Sequence, residues 1–302
     1  MKLRKRQLGK SDLSVSEIGL GCMSLPSNQQ DSNEIIQYAI DNGINYFDTA
    51  DLYDKGVNEE IVGLALKDNR KDIILTTKVG NRLHASGEGW SWDPSKKWIT
   101  SAVHKSLKRL QTDYIDIYQL HGGTMEDDID EVIDTMESLK KEGLIREYGI
   151  SSIRPNVIKR FIENSNAVSV MMQYSLLDRR PEEWLSLLEK NDVSLLSRGT
   201  LAKGLLTSEG IDRANKTEEY LSYTNEELIS VIEQLKSLYT PITSVALQYV
   251  LQQKATGSMI IGASNSEQLL QSIEFYNQPV SDEILLKASE ITKQDVYKEH
   301  RL

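Results

Sequence analysis

Asp48 and Tyr53 stand five positions apart in Tyr46-Phe47-Asp48-Thr49-Ala50-Asp51-Leu52-Tyr53, a lysine closes an apolar run at Lys78, and a histidine closes another at His121. These residue types are what carbonyl reduction asks of a protein. A phenol donates a proton, an ammonium makes that phenol a better acid, a carboxylate holds the ammonium, and a neutral imidazole hydrogen-bonds the carbonyl oxygen. A free phenol has a pKa of ~10 and is a poor acid at neutral pH, so the cation is what makes the proton available. No side chain delivers a hydride, so a redox cofactor is required. Singly, each residue is ordinary: a lysine at a strand end is usually solvated, and Leu-His-Gly is usually a turn. Their weight comes from placement, because each stands where an apolar run gives way to a loop.

Eight short apolar runs read as buried strands: Ser16–Leu20, Ile44–Phe47, Ile73–Thr77, Tyr114–Leu120, Glu147–Ile150, Val168–Met172, Val193–Ser197 and Ser258–Ile261. They are nearly continuous in apolar residues instead of alternating, as expected of parallel strands covered on both faces. Between them lie segments with apolar residues at spacings of three and four. Asp31–Asp41, Ser95–Leu110 and Asp128–Glu142 are predicted helices, with Gly143 as a C-cap and Pro155 opening a further helix. Alternating strands and helices predict a (β/α)8 barrel in one domain over residues 1–302. In that fold the carboxyl ends of the strands share one mouth. The separations Tyr53 to Lys78 and Lys78 to His121, 25 and 43 residues, then bring all four side chains to it. Arg4–Ser16 reads as a β-hairpin closing the barrel floor. Two long connections, Gly80–Asp93 and Gly204–Thr224, read as lids or binding loops.

The net charge of −10 argues against a nucleic-acid partner, which wants a basic face. The lone Cys22 precludes an internal disulfide framework, fits a reducing compartment, and reads as a small buried residue. Met1-Lys2-Leu3-Arg4-Lys5-Arg6 resembles the start of a signal peptide, but no apolar segment follows it. No run approaches the ~18 apolar residues of a membrane span. The expectation is a cytoplasmic protein with a small-molecule carbonyl substrate and neither membrane nor metal. Its oligomeric state is open.

The chain closely resembles the aldo-keto reductase superfamily from Leu8-Gly9 to about Gln271. The matching motifs are Gly19-Leu20-Gly21, Phe47-Asp48-Thr49-Ala50 with Tyr53, Thr77-Lys78, the run Ser106–Asp116, His121, Gly149-Ile150-Ser151 and Tyr174-Ser175-Leu176-Leu177. The resemblance implies a catalytic tetrad of Asp48, Tyr53, Lys78 and His121, and a nicotinamide dinucleotide, usually NADPH, with NADH possible. It implies cofactor contacts at Gly21, Met23, Ser151, Gly199, Leu201 and Gly262. It also leaves open a second class of function, a nicotinamide-binding redox sensor with very slow turnover, because the likeness extends to potassium-channel β subunits.

The sequence departs from the family pattern at several cofactor positions. Ser152 stands where an asparagine is common, and Met171 where a glutamine contacts the carboxamide. Gln173 lies two residues on and so faces the same side one rung higher. It either takes over that contact or stands free on the rim. Arg198 replaces a stacking aromatic, and a planar guanidinium can stack on a ring in the same way. The segment Arg198–Gly204, with Lys203, resembles a pyrophosphate loop. Gly19-Leu20-Gly21 is not followed by a third glycine, so no Rossmann fingerprint is present. Gly262–Gln268, including Ser264, carries no basic residue where relatives commonly grip the adenosine 2′-phosphate. Trp90 and Trp92 sit on the loop that roofs the substrate in this family, and either touch substrate or serve structure.

Overall fold

The apolar runs become eight parallel strands because each is hydrophobic on both faces and must be covered on both. In the computed structural model, which describes residues 3–84 and 86–301, they are β1 (Ile18–Gly21), β2 (Tyr46–Asp48), β3 (Ile74–Val79), β4 (Ile115–His121), β5 (Ile145–Ser151), β6 (Ser169–Gln173), β7 (Ser194–Arg198) and β8 (Thr256–Gly262). Each pairs with the next in sequence, and β8 returns to β1 with Gly262 opposite Gly21, closing the barrel. The register sets Lys78 beside Gln119 and His121 beside Ser151, so the polar strand ends lie at one mouth.

The first predicted run is two elements. Ser14–Ser16 pairs antiparallel with Lys5–Gln7 in the expected hairpin, and the barrel strand begins only at Ile18. Leu8, Leu13 and Val15 from this hairpin pack with Tyr46, Ile74, Ile117, Met171, Leu196 and Ile260 inside the barrel. The hairpin is therefore a hydrophobic plug in the floor, opposite the mouth.

Helices α1 (Gln29–Asp41), α2 (Val57–Leu66), α3 (Lys96–Leu110), α4 (Ile129–Lys141) and α5 (Pro155–Glu163) follow the first five barrel strands. The start of α1 lies two residues before the predicted Asp31, because Asn28 accepts hydrogen bonds from the amides of Gln30 and Asp31. Ser95 and Asp128 cap α3 and α4 in the same way. Gly143 has φ 78°, one residue beyond the α4 C-cap Glu142. Both long connections carry structure of their own. In the first, Asn81–Leu83 pairs antiparallel with Trp90–Trp92. The second holds a short helix, Gly210–Ala214, and a pairing of Glu219–Tyr220 with Tyr223–Thr224.

After β8, helices Ser266–Tyr276 and Asp282–Ile291 complete the outer ring. The terminal segment then crosses back toward α5, where the Asn156 amide donates to the His300 carbonyl at 3.0 Å. Among the described residues, no helix is long and apolar enough to cross a membrane.

Candidate active site

Asp48 ends β2, Lys78 is the penultimate residue of β3, His121 ends β4, and Tyr53 hangs on the turn after β2. Lys78 is fully buried, and its ammonium has three acceptors. It donates to Asp48 Oδ2 at 2.8 Å, to the Thr49 carbonyl at 2.7 Å and to the Tyr53 hydroxyl at 3.3 Å. The Tyr53 and His121 rings meet edge to face with centroids 6.1 Å apart. The four side chains expected to converge do converge.

The electrostatics follow from this packing. Burial by itself would lower the Lys78 pKa, but the Asp48 carboxylate and the Tyr53 oxygen outweigh it, and the net direction is upward. Lys78 is therefore a fixed cation. His121 moves the other way: burial first, then the positive charges of Lys78 and Arg198, lower its pKa to about 3. Its imidazole is neutral at physiological pH and can donate a hydrogen bond while adding no charge. Burial, with Asp48 second, pushes the buried Cys22 thiol well up, so it is no ready nucleophile.

Behind the tetrad lies a charged layer that sequence reading did not find. Glu59 of α2 is fully buried and accepts from Thr77 Oγ1 at 2.6 Å, Arg109 Nε at 2.6 Å and Ser106 Oγ at 3.3 Å. Thr77 immediately precedes Lys78, so this network ties the end of β3 to α2 and α3. It also explains why Ser106 and Arg109 stand in the Ser106–Asp116 run. Glu59 itself looks like any acid in a first helical turn, so only tertiary packing reveals it. Asp51, in the turn joining Asp48 to Tyr53, is buried with Oδ1 unpartnered among the described residues. Burial and the neighbouring Glu59 charge push its pKa up to about 8.

The residues expected to hold a cofactor are spread around the rest of the mouth. Met171 is packed inside the barrel, and Gln173, one rung higher, is half-exposed beside Arg198 in the β6–β7 register. Ser151 and Ser152 are buried, and the Ser152 hydroxyl accepts from the Arg154 amide at 3.2 Å. Gly199 has φ 69°, a left-handed conformation that side chains rarely adopt, and a Cβ there would stand in ordinary contact 3.8 Å from Gln173 Cγ. In the following loop the amides of Ala202 and Gly204 bond to the carbonyls of Gly199 and Leu201, leaving fewer donors for an anion than the sequence suggests. Lys203 is exposed.

Gly21 and Gly262 adjoin across β1 and β8, and Met23 beside them is 66% exposed. On the rim, Asn265 caps the helix Ser266–Tyr276 through the Gln268 amide at 2.9 Å. Ser264 bonds instead to Gln268 Oε1, through its amide at 3.0 Å and its hydroxyl at 3.1 Å. Trp90 is half-exposed at 52%, whereas Trp92 is packed against the hydrophobic core. One further buried polar group has no local sequence signal. Tyr297, from the terminal segment, is buried with its hydroxyl unpartnered among the described residues, and the Arg180 guanidinium lies over its ring, 4.8 Å from the centroid.

The family model described as Aldo/keto reductase family matches residues 17–292. The chain belongs to the aldo/keto reductase family. It is 55% identical over 305 residues to the "Uncharacterized oxidoreductase YqkF" of Bacillus subtilis (strain 168), covering 99% of this chain and 100% of that protein. Among solved structures it matches the holo form of the aldo-keto reductase AKR11C1 from Bacillus halodurans with a TM-score of 0.95 and 50% identity, over 99% of this chain and 100% of the other. The apo form of the same reductase matches with a TM-score of 0.87 and 47% identity, again over 99% and 100%.

Proposed function

We propose that this family member reduces aldehydes or ketones to alcohols, with a nicotinamide dinucleotide as cofactor and Tyr53 as general acid. The observation that carries the reading is the fully buried Lys78 ammonium shared between Asp48 at 2.8 Å and the Tyr53 hydroxyl at 3.3 Å, at the mouth of the barrel. Lys78 stabilises the phenolate that remains when Tyr53 gives its proton to the carbonyl oxygen. Asp48 holds Lys78 charged and aimed. His121 is neutral and donates a hydrogen bond to the same oxygen as negative charge develops there. Water returns the proton to Tyr53 after product leaves. Arg198 adds a second positive charge facing the site.

The donor set fits a nicotinamide dinucleotide. Ser151, Ser152 and Gln173 offer hydrogen-bonding groups for a carboxamide at and just beyond the ends of β5 and β6. Arg198 offers a plane for stacking, Lys203 a cation for a pyrophosphate, and the end of the helix Ser266–Tyr276 favours an anion. A reduced nicotinamide bound there supplies the hydride that no side chain carries. The family habit favours NADPH, with NADH accepted.

The test is loss of NADPH absorbance across a panel of aldehydes and ketones, for the wild type and for Tyr53→Phe. General acid catalysis contributes about 10²–10⁴-fold, so the variant should lose at least that much turnover while still binding NADPH by fluorescence titration. Retention of more than about a tenth of wild-type kcat, with chemistry rate-limiting, would remove Tyr53 from the role. Tight NADPH binding with negligible turnover of the whole panel by the wild type would instead favour a redox-sensing function.

A further inference from the structure

The loop after β3 and the loop after β4 are joined through one side chain. Trp92 Nε1 donates to Asp127 Oδ1 at 2.9 Å. Asp127 is itself held in place, accepting from the Thr124 amide through Oδ2 at 2.6 Å and from Thr124 Oγ1 through Oδ1 at 2.9 Å. The indole lies against the backbone where both strands end. A Cβ at Gly80 would stand 2.4 Å from Trp92 Cζ3, and one at Gly122 would stand 3.1 Å from the same atom. These glycines have φ of 126° and 136°, so a side chain is excluded by backbone strain as well as by the ring.

Gly80 is two residues beyond Lys78, and Gly122 directly follows His121. Asn81 Nδ2 also donates to the His121 carbonyl at 3.1 Å. The β4 loop is fastened on its far side, where Arg154 bonds to the Gly123 carbonyl and Arg160 Nη1 donates to the Met125 carbonyl at 3.0 Å. Trp92 packs against the hydrophobic core, yet its single polar atom is held by a carboxylate and its ring lies against two glycines.

We propose that Asp127 is a positioning residue for substrate selection: it fixes Trp92 as a rigid wall beside His121, so that the mouth favours small, unbranched carbonyl compounds over bulky aryl ones. This rests on the reading of the mouth as a carbonyl-reducing site. Without Asp127 the indole is free to swing with its hairpin and the discrimination by size falls.

The experiment uses Asp127→Ala and Trp92→Phe, singly and combined, with two readouts. The first is the ratio of kcat/KM for propanal to that for 1-naphthaldehyde. The second is the Trp92 indole N–H resonance, assigned by its loss in Trp92→Phe. Asp127→Ala should lower the ratio about fivefold or more, within the range of directly coupled pairs, and should change it less than about twofold in the Trp92→Phe background. The indole N–H should exchange slowly with solvent in the wild type and fast in Asp127→Ala.

A shift of the ratio that persists undiminished in Trp92→Phe would assign Asp127 a purely structural role and overturn the proposal. So would a wild-type Trp92 indole exchanging as fast as that of the exposed Trp90. If neither aldehyde is reduced, the reaction assignment fails, and the indole exchange still decides the clamp. Should Asp127→Ala not fold, Asp127→Asn, which keeps one acceptor oxygen, takes its place, and the wild-type exchange rate decides the clamp by itself.

Discussion

Lys78 is the residue on which the proposed chemistry turns, and its burial makes its role separable from its contribution to stability. Its side chain is 1% exposed and that of Asp48 is 6%. Removing one member of a buried pair leaves the other charge uncompensated, which costs about 3–5 kcal/mol, whereas removing both charges together costs far less. Lys78→Met should therefore lose both carbonyl reduction and stability. Combining it with Asp48→Asn should recover most of the stability and none of the activity. Urea denaturation and steady-state kinetics on the two variants check this. Recovery of activity in the double variant would show that the cation is dispensable to the reaction.

At the scale of elements, the turn from β2 to α2 carries a buried carboxyl with a distinct pH signature. Asp51 is neutral through most of the physiological range because its pKa is raised from 3.8 to about 8. A carboxyl raised in the folded state contributes stability that is fully present below its unfolded pKa and lost as pH rises through the folded one. The fold should thus weaken between about pH 4 and pH 8 from this group, as the unfolded chain gives up the proton first. Asp51→Asn keeps the shape and cannot ionise. Its Tm should match that of the wild type near pH 4 and exceed it by roughly 10 °C at pH 9, at about 2 °C for each of ~6 kcal/mol. Equal Tm values at pH 9 would mean that Asp51 ionises without cost, through partners the geometry does not supply.

Across the whole molecule, the mouth gathers groups from nearly every strand end, but its charges are unevenly spread. The tetrad and Arg198 lie toward the centre, and the rim segment Gly262–Gln268 carries no cation. There Ser264 and Gln268 satisfy each other, and Arg213 of the neighbouring long loop is paired with Glu209 at 2.7 Å. A hydrogen bond from a charged donor contributes roughly 1.5–3 kcal/mol, so each missing cation lowers selectivity for a 2′-phosphate by about 10- to 100-fold. NADPH should be preferred over NADH, but modestly. The measurement is kcat/KM with each cofactor on one good aldehyde. A preference above about 10⁴-fold, on the order of 5.5 kcal/mol, would require charges on the phosphate that this rim lacks.

The barrel and the tetrad were legible in the chain itself for a local reason. Continuous apolar runs specify strands buried on both faces, and the residue at the end of each run must then sit at the mouth, whatever the loops do. Asp48, Lys78 and His121 are such residues, and Tyr53 is tied to the first of them by a short turn. What lay outside local reading depends on partners distant in sequence. Glu59 is a first-turn helix acid until Thr77, Ser106 and Arg109 close on it. Asp127 is a loop carboxylate until Trp92, 35 residues away, reaches it. Tyr297 comes under the Arg180 guanidinium only because the terminal segment folds back onto the barrel. Periodicity along one strand or helix is written in neighbouring residues. The pairing of a buried charge or an indole is decided by which surfaces the closed barrel brings face to face.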